Sequence, residues 1–507
     1  MTSVEAYVSL VAMLATAPPL PRQLPLSAAL IERFAAIVGP ENCISEASQL
    51  VTYECDALPH LKARPGLVVL PKTRDEVVKV VQLAYEHGLP VVPRGSGTGL
   101  SGGAMPIEGC LLVGLSRMRR ILEIDLDNMW MRVEPGVVNL DITKRLAPHG
   151  YYYAPDPSSA QVCSIGGNVA ENSGGAHCLK YGFTTHHVLG AEVVLADGRV
   201  VELGGPVLDA PGYDLRGAFV GSEGTLGVVT LVTIRICRTP ETTRTLLATF
   251  ASTADAGNAV SLIIAGGILP AAIEMMDKLA IDAVRSVMGI LWPHVNALLL
   301  MDVDGTLAEV EHTAAKASER CLAAGALEVR KPASATERDA MWRGRKSAFT
   351  AMGRLSPNYI VQDGVIPRSQ IARVLTEIAA IAERHGVRVA NVFHAGDGNL
   401  HPLVLYDAAV PDEAQRAEAC SGEIVRLCIS AGGSITGEHG VGADKAAYMG
   451  EMFSEADLET MNFLRCSFDP HMRFNPGKVF PTPRLCGDLP GKYVPHAAEV
   501  DGRIGRG

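Results

Sequence analysis

Residues 95–103 read Gly-Ser-Gly-Thr-Gly-Leu-Ser-Gly-Gly, and this run stands at the end of a strand, helix, strand pattern. The first strand is the apolar stretch from Leu67. The helix spans about 73–87, with Val77, Val78, Val81 and Ala84 on one face, and the second strand is Leu89 to Arg94. A loop without Cβ atoms lets backbone N–H groups approach an anion closely, and successive amides form a nest for it, so a diphosphate is the natural guest. Gly97, Gly99 and Gly102 match G-x-G-x-x-G. That fingerprint binds a nicotinamide dinucleotide only where a helix starts at the loop. Here Gly103 and Pro106 follow, and the chain returns to a strand-like stretch at 110–113, so a Rossmann site is excluded.

Two further clusters lie downstream. Residues 155–175 run from Pro155-Asp156 through Ser164-Ile-Gly-Gly-Asn168 to Gly174-Gly175, and Gly221-Ser-Glu-Gly-Thr-Leu-Gly227 precedes a strand over Val228–Ile236. One such cluster is an ordinary turn about half the time. Three along one stretch of chain indicate a long, extended ligand.

With 507 residues, 48% of them hydrophobic, the chain has core material for two or three domains. A formal charge of −10 and the lack of a basic run exclude a nucleic-acid surface and electrostatic attachment to anionic lipid. Eleven cysteines without a C-x-x-C read as reduced thiols and exclude a ferredoxin-like cluster. The apolar Val8–Ala17 stretch lacks a basic flank and is too short to span a bilayer, which places the protein in the cytoplasm.

The C-terminal half carries residues suited to chemistry. In Asn391-Val-Phe-His-Ala-Gly-Asp-Gly-Asn-Leu-His-Pro402, an Asp397-Gly398 pair predicts a two-residue type I′ turn, which would set His394 directly opposite His401. Paired residues share a face with Cβ atoms about 5 Å apart, so both imidazoles could meet one metal or substrate. Two ligands do not complete a metal site, and a hydrogen-bonded packing pair is the plainer alternative. Further donors, Glu438 and His439, lie in Gly437-Glu-His-Gly440, after a helix read at 413–430. Asp397 and Asn399 read as turn residues.

Pro93-Arg-Gly-Ser-Gly-Thr-Gly-Leu-Ser-Gly-Gly103, Ser164–Asn168 and Gly221–Gly227 resemble the FAD-binding motifs of the family that includes vanillyl-alcohol oxidase. Trp342-Arg-Gly-Arg-Lys346, the histidine hairpin, Gly437–Gly440 and Asn475-Pro-Gly-Lys478 resemble its FAD-linked D-2-hydroxyacid dehydrogenases. Tyr53–Asp56, Tyr152–Ser159, His177–Gly182 and Met352–Tyr359 are similar to the FAD-binding D subunits of bacterial glycolate oxidases, and the likeness covers about residues 28–485. It implies an α+β fold: a leader at 1–27, a PCMH-type FAD-binding domain of two α/β lobes at 28–240, an α+β FAD-linked oxidase cap at 241–485 whose end returns to the flavin domain, and a tail at 486–507.

The same resemblance implies a flavin cradle. Its first loop would contribute Pro93, Arg94, Gly95, Ser96, Gly97, Thr98, Gly99, Ser101 and Gly102, and its second Pro155, Asp156, Ser159, Ser164, Gly166, Gly167, Asn168, Gly174 and Gly175. Glu223, Gly227 and Val228 belong to the third loop, with Asn475 and Lys478 near the end. Some relatives tether FAD through a histidine in the first loop; Ser96 and Thr98 stand there instead, which implies noncovalent attachment, with Cys163 as the competing tether.

By the same likeness, His394, His401 and Glu438 would hold a divalent metal, most plausibly zinc. Arg345 would grip the substrate carboxylate as a bidentate partner, on a helix opened by a Thr336-x-x-Asp339 capping box, although a solvated helix arginine is the plain alternative. His439 would take the hydroxyl proton as hydride passes to flavin N5, with a fourth-ligand or flavin hydrogen-bonding role as the alternative. Val361 stands where hydroxyglutarate-specific relatives carry a lysine for a second carboxylate, which favours glycolate or D-lactate, oxidised to glyoxylate or pyruvate. Implied partners are a second flavin subunit and an iron–sulfur subunit of a glycolate oxidase complex, which would hold the protein peripherally at the inner membrane and pass electrons to quinone. Alternatives are a D-lactate or D-2-hydroxyglutarate dehydrogenase acting alone, a non-redox flavin transferase of the same fold, and a noncatalytic electron-relay subunit.

Overall fold

The computed structural model describes residues 26–481 apart from 59, 208–210 and 290–291. The tail read at 486–507, and all of the leader except residues 26 and 27, lie outside them. Ser27 caps the helix Ala28–Val38 by accepting from the Leu30 N–H, and Thr73 caps Arg74–Glu86 in the same way through Glu76. Their apolar faces close over a four-stranded sheet in which Leu67–Val69, Leu111–Gly114 and Val91–Arg94 run parallel, with Cys43–Ile44 antiparallel at the edge. No helix opens at the glycine run; the chain loops from Arg94 to Leu111 and re-enters the same sheet, as the rejection of a Rossmann site requires.

A second lobe is a five-stranded antiparallel sheet. Its strands lie in the order Ile121–Asp125, Trp130–Val133, Val228–Arg235, Val188–Val194 and Val200–Gly204, and the helices Asn139–Leu146 and Ile165–Glu171 pack on its core. The rest of the chain builds a nine-stranded sheet around Thr242–Phe250, Ala297–Gly305, Ala272–Asp277 and Arg388–His394. Because these strands are buried on both faces, they read as continuous apolar runs such as Ala297-Leu-Leu-Leu-Met301. One face packs Thr253–Ala265, Ile371–His385 and Glu413–Ser430; the other packs Lys278–Met288 and Ala335–Lys346. The last of these helices starts at Ser334, which accepts from the Glu337 N–H, two residues before the capping box read at Thr336.

After the helix Glu455–Phe468 the chain returns to the first lobe. Phe474 enters its core, and Val91 bonds on both sides, donating to Arg473 O and accepting from Asn475 N. Nine of the ten described cysteines are free thiols, Cys466 being the exception. Among the described residues no helix is long and apolar enough to cross a membrane.

Candidate active site

A cleft of about 960 Å³ separates the two small lobes from the large sheet, near the upper end of small-molecule sites in volume. Pro93–Gly99, Ser159, Ser164, Gly166–Asn168, Gly174, Glu223 and Gly227 line it from the two small lobes; Lys346, Tyr359, Val361, His401, Glu438 and His439 line it from the rest of the chain, Glu438 lying close to Gly174. The fit to a flavin dinucleotide rests on the first of these walls. A Cβ on Gly166 would meet Pro135 Cβ at 2.6 Å, so the backbone there tolerates only glycine. Ser164 Oγ and Ser222 Oγ are buried beside the cleft without partners, two hydroxyls free to bond a ligand.

Several residues expected to touch the flavin support the cradle from behind. Lys478 Nζ donates to Gly102 O at 2.8 Å and Met105 O at 2.6 Å, and Asn475 Nδ2 donates to Gly103 O at 2.8 Å and Glu223 O at 2.6 Å. Ser101 O accepts from Ala443 N and Asp444 N, tying the first glycine loop to the segment after His439. Pro155 O is taken by Asn139 Nδ2, and Gly175 and Val228 also stand outside the cleft lining. The Lys478 ammonium and the Asn475 Nδ2 are thus committed to the loops, whereas Asn475 Oδ1 is buried without a partner. Glu171, which the sequence reading passed over, does line it; burial, and then the charges of Glu223 and Asp56, push its pKa well above the usual range.

Asp156 turns away from the cleft lining to His177, with Oδ2 to Nδ1 at 2.9 Å, and the His177 ring stacks on Trp342 from the large-sheet unit at 6.4 Å. Burial opposes the charged imidazole, but Asp156 outweighs it and raises its pKa to about 9. A folded-state pKa above the unfolded value of about 6.5 gives stability that is complete below pH 6.5 and is lost as pH rises through 9. Between pH 7 and 10 the melting temperature of the wild type should therefore fall more steeply than that of His177→Gln. Parallel curves would remove His177 as the cause.

The two histidines meet, although not by the expected register. His394 pairs with Asn399 and Asn391 with Pro402, so residues 395–398 form a four-residue turn. A type I′ turn needs φ > 0 at both central positions, and of the two only Gly398, at φ 82°, adopts it. The register moves by two residues, which leaves His401 on the same face as Asn399. The His394 and His401 rings stand edge to face at 5.2 Å.

Glu438 Oε1 lies 3.2 Å from His394 Nε2 and 3.3 Å from His401 Nε2, a two-imidazole, one-carboxylate set that suits a divalent ion with open positions. Behind it, His394 Nδ1 bonds Glu274 Oε1 at 2.7 Å, which fixes the ring with Nε2 facing Glu438. Burial opposes ionisation of Glu438, yet His394, His401 and His439 bring its pKa down to about 2. Asp363, His401 and His439 form a second, overlapping group. Its carboxylate is committed elsewhere: Asp363 Oδ2 accepts from Thr436 Oγ1 at 2.6 Å and from the N–H groups of Gly437, Glu438 and His439 at 2.9–3.1 Å. Glu438 Oε2, by contrast, is buried and unpartnered, so the outer group is the better cation site.

His439 stacks parallel on His401 at 4.9 Å and 4°. Burial lowers its pKa to about 4 against the pull of Asp363, so its imidazole is neutral at pH 7 and able to accept a proton. Arg345 is 3% exposed and lies outside the cleft lining, and its Nη2 pairs with Glu274 Oε2 at 2.5 Å; the lysine and arginine on the lining are its neighbour Lys346 and Arg94 of the first glycine loop. Helix periodicity could not reveal this, because the deciding partner lies on a strand far upstream. Asn399 was assigned to the turn, yet its carboxamide is buried with neither polar atom partnered.

Residues 65–204 match the FAD binding domain family and residues 239–479 the C-terminal domain of FAD linked oxidases. The chain is 46% identical over 88% of its length to glycolate oxidase subunit GlcD of Escherichia coli K12, covering 90% of that protein. Against D-lactate dehydrogenase of Anaerostipes hadrus it is 32% identical, with 89% and 97% covered. The solved structure of 4-ethylphenol oxidase from Gulosibacter chungangensis superposes with a TM-score of 0.75 over 89% of this chain and 97% of that one, at 20% identity, and shares the fold. The chain thus belongs to the FAD-linked oxidase family that holds the GlcD subunits and the D-lactate dehydrogenases, and it is an FAD-linked oxidoreductase.

Proposed function

We propose that this chain oxidises a small 2-hydroxy monocarboxylate, glycolate first and D-lactate second, to the 2-oxo acid. One observation carries the reading: the glycine-lined wall and the His401, Glu438, His439 cluster line one cleft, with Glu438 close against Gly174 of that wall. When bound, FAD would supply a two-electron hydride acceptor, and a divalent ion, with zinc suiting the donors, would supply a Lewis acid for the hydroxyl. His394, His401 and Glu438 would hold that ion. His439, neutral and facing the cleft, would accept the hydroxyl proton. Lys346, on the lining with His401 and His439, would meet the substrate carboxylate, while Arg345 would act through Glu274 to keep His394 oriented. Val361 on the lining offers no charge to a second carboxylate, which supports a monocarboxylate. The glycine-rich first loop, with Ser96 and Thr98, fits a noncovalent flavin.

The GlcD relative's being a subunit supports work in a multi-subunit complex; we propose that electrons leave through companion flavin and iron–sulfur subunits, which would attach this chain peripherally to the inner membrane. We also propose a flavin unit at 28–240 and a substrate unit at 241–485. The division falls between the five-stranded sheet and the strand Thr242–Phe250.

Mixed anaerobically with the flavin-loaded protein, glycolate or D-lactate should bleach the flavin absorbance, and L-lactate and D-2-hydroxyglutarate should do so far more slowly. Absence of bleaching by every hydroxy acid would sink the assignment. Bleaching fastest with D-2-hydroxyglutarate would overturn the Val361 argument.

A further inference from the structure

We propose that Asp363 is a positioning residue that clamps the two halves of the metal-ligand set together, an inference that rests on the site reading above. The halves have different origins. His394 and His401 stand on paired strand segments, whereas Glu438 and His439 sit in a loop between glycines that belongs to no helix or strand. Asp363 lies between the strands Asn358–Val361 and Gly364–Val365, and Gly364 pairs with Leu400, beside His401.

Its side chain is 0% exposed. Oδ1 stands 3.3 Å from His401 Nε2, and Oδ2 gathers the Thr436 hydroxyl and three successive loop amides, from Gly437 to His439. Consecutive N–H groups converging on one oxygen are an anion nest, and here the anion is a fixed side chain of the protein. Lys445 Nζ, 1% exposed and 3.6 Å from Oδ2, is the counter-charge. A neutral amide at 363 that keeps its one oxygen in the loop nest must turn an N–H₂ toward His401 Nε2, the nitrogen offered to the ion, and lacks the charge around which four donors and Lys445 gather, so it cannot hold both halves as the carboxylate does. Glu438 and His439 then lose their fixed distance from His401, and among the described residues no other side chain spans from the strands to all three loop amides.

The test uses full-length, flavin-loaded protein stripped of metal by a chelator and titrated with Zn²⁺, together with hydrogen exchange of the 437–439 amides. Asp363→Asn is expected to keep its flavin, bind Zn²⁺ about 10–100-fold more weakly, and exchange these amides faster. Thr436→Val, which removes one donor, should shift both readouts in the same direction by less. Wild-type zinc affinity and amide protection in Asp363→Asn would overturn the clamp, as would a lowered melting temperature with unchanged zinc affinity. If Asp363→Asn does not fold, wild-type values in Thr436→Val overturn it instead. A wild type that takes up no Zn²⁺ refutes the metal reading, and amide exchange in Asp363→Asn then decides the clamp separately.

Discussion

Flavin reduction by hydroxy acid in His439→Asn is expected to be about 10²- to 10⁴-fold slower than in wild type, the usual cost of losing a positioned general base. The ring lies flat against His401, reaches the cleft, and keeps Nδ1 without a hydrogen-bond partner. Nothing else among the described residues on the lining combines a neutral basic nitrogen with contact to the ligand set. The measurement is a single anaerobic turnover followed by flavin absorbance, with flavin and metal content determined on the same sample. Equal metal content with the slowed rate supports the base. Loss of metal would reassign His439 as a fourth ligand, and an unchanged rate would dismiss it from the chemistry.

Glu274→Gln should cause the largest loss of stability, about 3–5 kcal/mol, the range for a buried ion pair deprived of one partner. Glu274 is 1% exposed and stands in register with His394 on adjacent strands. Its two oxygens divide between Arg345 and His394. Burial opposes its ionisation, but Arg345 and then His394 pull its pKa below the usual range. The glutamine leaves the Arg345 charge shut inside the protein. For a chain of this length a fall in melting temperature of roughly 3–5 °C is expected, and Glu274→Gln combined with Arg345→Met should recover more than half of it. A single variant that melts with wild type would show that the pair carries no structural weight.

The contrast between these two residues shows what the sequence made legible. The helices near 74–86 and 413–430 could be read because periodicity and end signals are local properties. The flavin loops were legible for a related reason, since glycine marks where backbone must meet a ligand. The convergence of His394, His401, Glu438 and His439 came from the resemblance and from pairing logic that tolerated a two-residue slip, because a slip of two preserves the face. Glu274 and Asp363 were invisible as partners. Each is a lone acid within an apolar strand region, and its role depends on side chains brought to it by sheet pairing and loop closure. The Arg345–Glu274 pair was hidden for the same reason, as a helix face does not announce which neighbour will claim its charge.

The return of residues 473–478 to the first lobe has a consequence for biosynthesis. The glycine loops leave the ribosome well before the donors that brace Gly102, Gly103 and Glu223 and before the Phe474 that fills the core beneath Val91. A nascent or truncated chain ending before Phe474 carries every residue of the cleft wall without its bracing. Tight uptake of flavin should therefore wait until residues 474–478 have been made and have docked on the first lobe.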